Sequence, residues 1–266
     1  MRRLLVGSLL GLASTLERSV TVTTYVAAGL LRFDALSRHM AENWRHFGVT
    51  QAEPDVADGL FNWERSFYGR FMTPGERVLI VGCGGGRDLL PLLEQGYRAE
   101  GLEPVAVCAA MARERVASRG LTATVYTADI VTAVLSGRYD VVIFSWLCYS
   151  YIPLRARRVA VLHKTREHLA DGGRVLIPYV LALPAPRRLP WRLAQLASRL
   201  SGADWRPEYG DVFIPRLETG SIHYEHQFQP AEIEAEAHAA GLSVAFHEHT
   251  GNGTIALTRT APVRVA

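Results

Sequence analysis

The chain has 266 residues, of which 48% are hydrophobic and 21% charged, and its formal net charge is +3. This length suffices for one large α/β core with an appended region, and the composition is that of a globular protein. The small net charge does not by itself indicate a nucleic-acid partner, and we expect none, because no concentrated basic patch with interleaved aromatic residues surrounds the loop after residue 144. The chain has three cysteines, Cys83, Cys108 and Cys148. This odd and sparse count predicts a reducing compartment, the cytoplasm. Their spacing is not that of metal ligands.

The first 59 residues are predicted to form a helical cap on the remaining chain, residues 60–266. An uncharged run, Leu4–Leu16, is too short to span a bilayer as a helix. On a helix it places four leucines on one face: Leu5, Leu9, Leu12 and Leu16. Packing of this stripe on the rest of the chain is the first interpretation. Its flanking arginines make a membrane-surface anchor the second, and a cleaved signal peptide is the third.

A glycine-rich turn between a strand and a helix is the main motif of the chain. Val78–Val81 is typical of a buried parallel strand, and a helical pattern follows from Leu89. Glycines between them let the backbone turn sharply and let a ligand approach the N-terminus of the helix. A dinucleotide fingerprint would need a third glycine at position 87, where the chain has Arg87.

The spacing Gly82-x-Gly84-x-Gly86 resembles motif I of the class I S-adenosylmethionine-dependent methyltransferases. The order of predicted elements extends the resemblance over about residues 60–260. It implies S-adenosylmethionine as cofactor, with contacts from the loop and from the preceding helix: Gly82, Cys83, Gly84, Gly86 and Tyr68. Arg70 is an alternative to Tyr68, and plain packing of that helix is a third possibility. One departure is Ile80, because the family commonly has an acid there; Glu64 or Asp88 could replace it.

Two further acids follow predicted strands. Glu103, before Pro104, ends the second strand and is placed to accept hydrogen bonds from both ribose hydroxyls; stabilising a helix N-terminus is its alternative role. Asp129 and Ile130 follow the third strand, predicted over 123–127. The resemblance implies that Asp129 accepts the adenine amine and that Ile130 packs on the ring. Asp129 is also a suitable N-cap for a helix over 131–136.

The loop after the fourth strand, predicted over 139–144, is expected to bring cofactor and substrate together. Ligands of open α/β sheets bind outside the carboxyl ends of the strands. We therefore predict cofactor contacts from Ser145 and Trp146 and an acceptor pocket shaped by Tyr149 and Tyr151. The helix that follows carries three arginines, interpreted as a solvated face, with an anionic substrate clamp as the alternative: Arg155, Arg157 and Arg158.

The C-terminal third completes the fold prediction. Residues 242–249 and 254–258 are predicted to form a hairpin across an Asn-Gly turn. The predicted fold is therefore a doubly wound α/β protein with a seven-stranded, mostly parallel sheet and an antiparallel last strand. A helical N-terminal cap and a lid insertion, about residues 181–229, before the last helix complete it.

The insertion contains the candidate catalytic residues. His223 and His226 lie in an alternating segment, and either could act as the base for a hydroxyl acceptor; a structural or exposed histidine is the alternative for both. We predict no metal site, because the two His-Glu-His groups match no common ligand spacing.

The function predicted from these features is methylation of a small-molecule acceptor, aromatic or lipid-like, on oxygen, nitrogen or carbon. Peripheral membrane contact through the N-terminal segment is the second interpretation of that segment, and the sequence predicts no oligomeric state. Two other classes stay open: an NAD(P)-dependent oxidoreductase, and a non-catalytic cofactor-binding protein anchored by its N-terminal helices.

Overall fold

The computed structural model describes residues 2–50, 57, 59–182 and 188–259, with side chains from Val6 onward. The side chain of Leu5 lies outside the described part. So do residues 51–56 and 58, which adjoin the predicted domain boundary at residue 59. The helices are α1 Arg2–Leu30, α2 Phe33–Thr50, α3 Asn62–Phe71, α4 Leu89–Glu94, α5 Ala106–Ser118, α6 Arg155–Glu167, α7 Arg188–Leu200 and α8 Pro230–Ala239. The strands are β1 Arg77–Val81, β2 Arg98–Leu102, β3 Val125–Tyr126, β4 Tyr139–Phe144, β5 Leu169–Tyr179, β6 Asp211–Arg216, β7 Ser221–His226, β8 Leu242–Glu248 and β9 Gly253–Arg259.

The chain divides into two compact units. The accessory unit comprises Met1–Asn43 and Leu183–Glu225, and the sheet unit comprises Trp44–Ala182 and His226–Ala266. The N-terminal helix and the insertion, which are remote in sequence, therefore belong to one unit. The assignment of residues 60–266 as a single domain stays a prediction.

The sheet unit is built on seven strands in the order β3-β2-β1-β4-β5-β9-β8. Strands β1 to β5 pair in parallel, whereas β9 pairs antiparallel with both β5 and β8. The predicted doubly wound sheet with an antiparallel last strand is confirmed. The order also places β1 and β4 side by side at the centre, so the loops that follow them meet at one edge of the sheet.

Helices cover both faces of this sheet, as its unbroken apolar strands require. Alternate residues of β1 point to opposite sides: Leu79 joins the core beneath α6 and α8, and Ile80 joins the core beneath α3, α4 and α5. Each fully buried side chain of this size contributes about 1.5–3 kcal/mol through burial. Ile80, which replaces the acid common in the resembling family, is thus a core residue with no exposed surface.

Local structure departs from the sequence expectations at three places. β3 is limited to Val125–Tyr126, and residues 131–136 form a turn followed by irregular structure rather than the expected helix. The sequence predicts the fifth strand over 174–180, but β5 begins at Leu169, because Leu169 pairs with Tyr139 ahead of a register shift. Residues 221–226 do not alternate between buried and exposed, since all but Glu225 are buried.

The accessory unit joins α1, α7 and the hairpin of β6 and β7. Gly29 of α1 lies so close to the backbone of Ala194 in α7 that a Cβ at position 29 would clash with the carbonyl group. Tyr25 donates a hydrogen bond from its hydroxyl to the Asp211 carbonyl oxygen at 3.1 Å. Among the described residues, no helix combines the length and apolarity that crossing a membrane demands.

Candidate cofactor and acceptor site

The glycine loop after β1 adopts backbone conformations that favour glycine. Gly82, Gly84 and Gly86 have φ of +73°, +52° and +101°. An added Cβ at Gly82 would press on the Cys148 side chain, whereas one at Gly84 would meet no protein atom within 4 Å. The loop is therefore tight at Gly82 and open at Gly84, where a ligand can approach the backbone.

Glu103 ties this loop to the end of β2. One carboxylate oxygen accepts a hydrogen bond from Gly84 N at 3.0 Å, and the other accepts one from Val105 N at 2.8 Å. Burial raises the pKa of Glu103, and the two backbone N–H groups partly offset this by favouring the carboxylate. Each oxygen retains a second lone pair, so the residue that orients the loop can still accept hydroxyl donors. Pro104, which follows it, is exposed.

The Tyr68 hydroxyl on α3 is buried without a hydrogen-bond partner among the residues the structure describes. Its pKa is raised well above the ordinary value, chiefly by burial and then by the carboxylates of Asp88 and Glu64. The phenol is therefore a neutral donor at physiological pH. Buried polar groups without a partner are rare in native proteins, so the hydroxyl is suited to a ligand's acceptor atom.

Arg87 fastens the glycine loop to α3. Its guanidinium donates to both Glu64 oxygens, Nη1 to Oε2 at 2.8 Å and Nη2 to Oε1 at 2.6 Å. It also lies beside two aromatic rings that contact each other, 5.3 Å from the Phe61 centroid and 4.8 Å from that of Trp146. This anchor was not predicted from the sequence, where Arg87 marked only a missing glycine.

Asp88 is the second buried acid of this cluster. Burial raises its pKa to about 6, while Arg87 and Ser145 act in the opposite direction. Arg87 Nη2 is 2.7 Å from Asp88 Oδ1. Ser145 is buried close to this acid, and its predicted contact with the cofactor stays a prediction.

Asp129 and Ile130 lie beyond the end of β3. Asp129 Oδ1 accepts hydrogen bonds from Val131 N at 2.8 Å and Thr132 N at 3.0 Å, which caps a single turn rather than a helix. The Asp129 side chain is exposed and Ile130 is buried. An exposed acid beside a buried apolar residue suits an amine-bearing ring, and this role stays a prediction.

The loop after β4 has an unusual backbone. Trp146 and Leu147 have φ of +45° and +60°, conformations that non-glycine residues seldom adopt. Such strain accumulates at functional sites, where the surrounding structure holds it in place. The Trp146 ring lies 5.2 Å from that of Phe61, which fixes the loop against the start of α3.

The two tyrosines predicted for the acceptor pocket have different surroundings. The Tyr151 ring is partly exposed and lies 4.6 Å from the ring of Trp44 at the end of α2. Tyr149 is fully buried in the core, and its hydroxyl donates to Glu236 Oε2 at 2.7 Å. Tyr151 therefore lies partly at the surface, whereas Tyr149 supports the loop from beneath, and the acceptor role of Tyr151 stays a prediction.

The arginines of α6 correct one sequence interpretation. Arg155 and Arg157 are exposed, as a solvated face requires, but Arg158 is completely buried. Arg158 donates to Glu236 from Nε and from Nη2, the shorter contact being 2.7 Å. Its charge is used inside the core, which leaves it unsuited to clamp a substrate.

The two candidate histidines lie in different units. His226 Nε2 lies 3.0 Å from Glu232 Oε1, and its ring contacts Phe228 at 4.6 Å. Phe228 continues the edge of β5, since its N–H donates to the Val180 carbonyl oxygen at 2.8 Å. His226 thus lies beyond the carboxyl end of β5. In the accessory unit, His223 Nδ1 lies 3.1 Å from Asn43 Nδ2.

The cysteines do not have the properties of nucleophiles. Burial raises the pKa of Cys83 and Cys148 well above the ordinary value and that of Cys108 to about 11. A thiol that stays protonated at neutral pH is neither a nucleophile nor a good metal ligand. Cys83 therefore contributes to the site by packing within the glycine loop.

The sequence matches the methyltransferase-domain family over residues 32–245. The chain belongs to this methyltransferase family. The predicted family is confirmed, and the alternative prediction of an NAD(P)-dependent oxidoreductase is therefore wrong. A search of curated proteins by sequence finds no match.

Solved structures of methyltransferases share the fold. An S-adenosylmethionine-dependent methyltransferase from Methanosarcina mazei is 16% identical, covers 76% of this chain and 98% of its own, and has a TM-score of 0.60. The CcbJ methyltransferase from Streptomyces caelestis is 17% identical, with coverage of 74% and 88% and a TM-score of 0.56. The sugar N-methyltransferase KedS8 from Streptoalloteichus is 19% identical, with coverage of 75% and 86% and a TM-score of 0.53. At these identities the likeness shows the fold alone.

Proposed function

We propose that this methyltransferase uses S-adenosylmethionine to methylate a small-molecule acceptor with an aromatic or otherwise apolar surface. Three features that occur together at the glycine loop carry the proposal. The loop is open at Gly84, Glu103 orients it, and the buried Tyr68 hydroxyl points to a missing acceptor atom. A nucleoside with a charged amino-acid tail needs these three features together.

The described residues fit that cofactor from end to end. Glu103 would accept the ribose hydroxyls, Asp129 the adenine amine, and Ile130 would pack on the ring. Tyr68 would donate to the carboxylate of the methionine end. When bound, S-adenosylmethionine supplies a methyl group that its sulfonium already activates, so the protein's task is alignment and exclusion of water.

Aromatic side chains at the same edge of the sheet support the acceptor class. Trp44 and Tyr151 are in contact and partly exposed, and Trp146 is held nearby in its loop. Gly48 allows α2 to lie against Cys108 of α5, which brings the end of α2 over the loops that follow the strands. A flat apolar acceptor suits such walls.

We further infer that His226, rather than His223, removes a proton from the acceptor. The contact of His226 Nε2 with Glu232 orients the imidazole ring. The pKa of Glu232 is lowered even though burial acts to raise it, because His226 and Arg158 favour the carboxylate. A carboxylate that stays ionised orients the imidazole and stabilises it once protonated.

Calorimetric titration with S-adenosylmethionine, S-adenosylhomocysteine and NAD tests the cofactor. We expect binding of the first two and none of NAD. Tyr68→Phe should bind S-adenosylmethionine about tenfold more weakly, because a hydrogen bond to a charged group contributes about 1.5–3 kcal/mol. The same variant should be more stable without ligand, since it removes a buried hydroxyl that has no partner.

Tyr139→Phe is the matched control. The Tyr139 hydroxyl already donates to the Glu100 carboxylate at 2.9 Å, so this variant should lose about 1.5–3 kcal/mol of stability and keep its affinity. Failure of the wild-type protein to bind either sulfur nucleoside would overturn the proposed cofactor. Unchanged affinity in Tyr68→Phe would overturn only the role of Tyr68.

A pH profile separates the two histidines. With a hydroxyl acceptor, His226→Gln should lose about 10²–10⁴-fold in turnover and the acid limb of the profile. His223→Gln should retain both. If His223→Gln instead lost turnover and the acid limb while His226→Gln retained both, the base would be His223.

A further inference from the structure

Helix α1 presents a continuous apolar stripe to solvent. Leu9, Leu12, Leu16, Val20 and Leu30 are each 48–58% exposed, and their spacing keeps them on one side of the helix. Two other exposed residues, Thr23 and Ala27, continue the same line. At 1.5 Å per residue the stripe is about 30 Å long. Soluble surfaces rarely leave so large an apolar patch without a partner.

Helix α7 exposes leucines beside arginines. Leu189, Leu196 and Leu200 are 63%, 51% and 79% exposed, while the side of the helix that packs within the accessory unit carries small residues such as Ala194 and Ser198. The exposed arginines adjoin these leucines: Arg188, Arg192 and Arg199. The helix contains no acidic residue, and no described residue forms an ion pair with these arginines.

Both surfaces belong to one unit. Gly29 and Ala194 bring α1 and α7 into close contact, because neither has a side chain large enough to separate the two backbones. That contact lies on the side of each helix opposite its exposed leucines, so the apolar stripe of α1 and the leucine–arginine face of α7 point in different directions.

We propose that the leucine–arginine face of α7 docks on the surface of an anionic lipid bilayer. The leucines would enter the boundary between headgroups and acyl chains, and the arginines would contact lipid phosphates. A second copy of the chain fits less well. A symmetric contact through α7 would place arginines against arginines without an acid on that helix to pair with them. The proposal does not depend on the proposed acceptor or on its methylation.

Flotation of the full-length protein with vesicles tests the docking. We expect binding to vesicles of phosphatidylglycerol and phosphatidylcholine, little binding to phosphatidylcholine alone, and weakening as salt rises. Arg192→Gln/Arg199→Gln should weaken binding by about fivefold for each arginine removed. Leu196→Ser/Leu200→Ser should weaken it as well, and should do so at every salt concentration.

The control is Arg155→Gln/Arg157→Gln, which removes the same charge from exposed positions of α6 in the sheet unit. It should bind as the wild type does. Absence of binding to anionic vesicles overturns the proposal. So does equal binding to neutral vesicles, or equal loss in the α6 control. Self-association in analytical ultracentrifugation that Leu196→Ser/Leu200→Ser abolishes, without vesicle binding, would identify this face of α7 as a protein interface instead.

Discussion

Arg87 and Glu64 form a two-point ion pair that joins the glycine loop to α3, with N–O distances of 2.8 and 2.6 Å. The Glu64 side chain is completely buried and that of Arg87 is 9% exposed. Glu64 also accepts a hydrogen bond from Phe61 N at 2.8 Å, at the start of α3. One acid therefore sets both the beginning of the helix and the position of the loop.

This pair explains how the loop is held although Ile80 replaces the acid common at that position. Glu64 was one of two sequence candidates for the missing role, and its oxygens are committed to Arg87 and Phe61. The other candidate, Asp88, contacts the Nη2 atom of Arg87 that also donates to Glu64. The loop is thus ordered by a charged cluster from α3 rather than by an acid in β1.

Breaking this pair from one side should be costly. Arg87→Met leaves the Glu64 carboxylate buried and unpaired, which should reduce the free energy of unfolding by about 3–5 kcal/mol. Chemical denaturation measures the loss. Cofactor affinity should fall too, because the loop loses its attachment to α3.

The double variant Glu64→Leu/Arg87→Met supplies the control. Removing both charges should recover part of the stability, since the Glu64 carboxylate is then no longer stranded, although Asp88 still lacks its contact with Arg87. Losses that simply add in the double variant would show that the two side chains do not act as a pair.

Local patterns were sufficient to predict the framework of the sheet unit. An apolar run, a glycine turn and a helical pattern are adjacent in sequence, so β1, the loop and α4 could be predicted without knowledge of distant partners. The Asn-Gly turn indicated β8 and β9 in the same way. Glu103 was recognised because its distance from the glycines is set by one βα unit.

Long-range partners could not be predicted in this way. Arg158 stands in a run of arginines typical of a solvated helix, and its partner Glu236 is 78 residues away. Arg87 pairs with Glu64 across 23 residues, and nothing in the local pattern of either residue indicates a partner. The pairing of α1 with α7 likewise depends on Gly29 meeting Ala194. The sequence did not indicate that Tyr149 is buried, because neighbouring residues of the same loop are also aromatic.

Asp88 should make stability depend on pH between about 4 and 6. Burial raises its pKa from 3.8 to about 6, so in this window the folded protein holds a proton that the unfolded chain has released. Stability from this group is therefore present below pH 4 and is lost as the pH rises through 6. The loss should be about 2–3 kcal/mol.

Asp88→Asn isolates this effect in denaturation curves at several pH values. Wild type and variant should be similarly stable at pH 4, and the variant should be more stable at pH 7. A variant that is less stable at pH 7 would mean that the ionised carboxylate is favoured by Arg87 more than it is disfavoured by burial.

Gly84 should be required for the ligand more than for folding. Alanine at this left-handed position costs about 1–2 kcal/mol in backbone strain, but its methyl group meets no protein atom. That methyl group would occupy the space through which the cofactor approaches the loop. We expect Gly84→Ala to lose at least about tenfold in affinity for S-adenosylmethionine.

Gly120→Ala is the matched control for Gly84→Ala, because the two glycines share a left-handed backbone conformation and open surroundings. Gly120 has φ of +66°, and a Cβ there also meets no protein atom, but it follows α5 rather than β1. Its variant should lose similar stability and keep its affinity in calorimetric titration. Equal loss of affinity in both variants would attribute the Gly84 effect to general destabilisation.

The close contact of α1 with α7 should make Gly29 the most sensitive glycine of the accessory unit. A Cβ at position 29 would collide with the Ala194 carbonyl group, so Gly29→Ala must push the two helices apart. We expect a loss of about 1–3 kcal/mol, the range typical of overpacking. Gly11→Ala, at an exposed position of the same helix where a Cβ meets nothing, should instead gain up to about 1 kcal/mol of helix stability. Hydrogen exchange of the α1 amides measures both changes: protection should fall in the first variant and rise in the second. Faster exchange in neither variant, or in both, would show that α1 is not held by this contact.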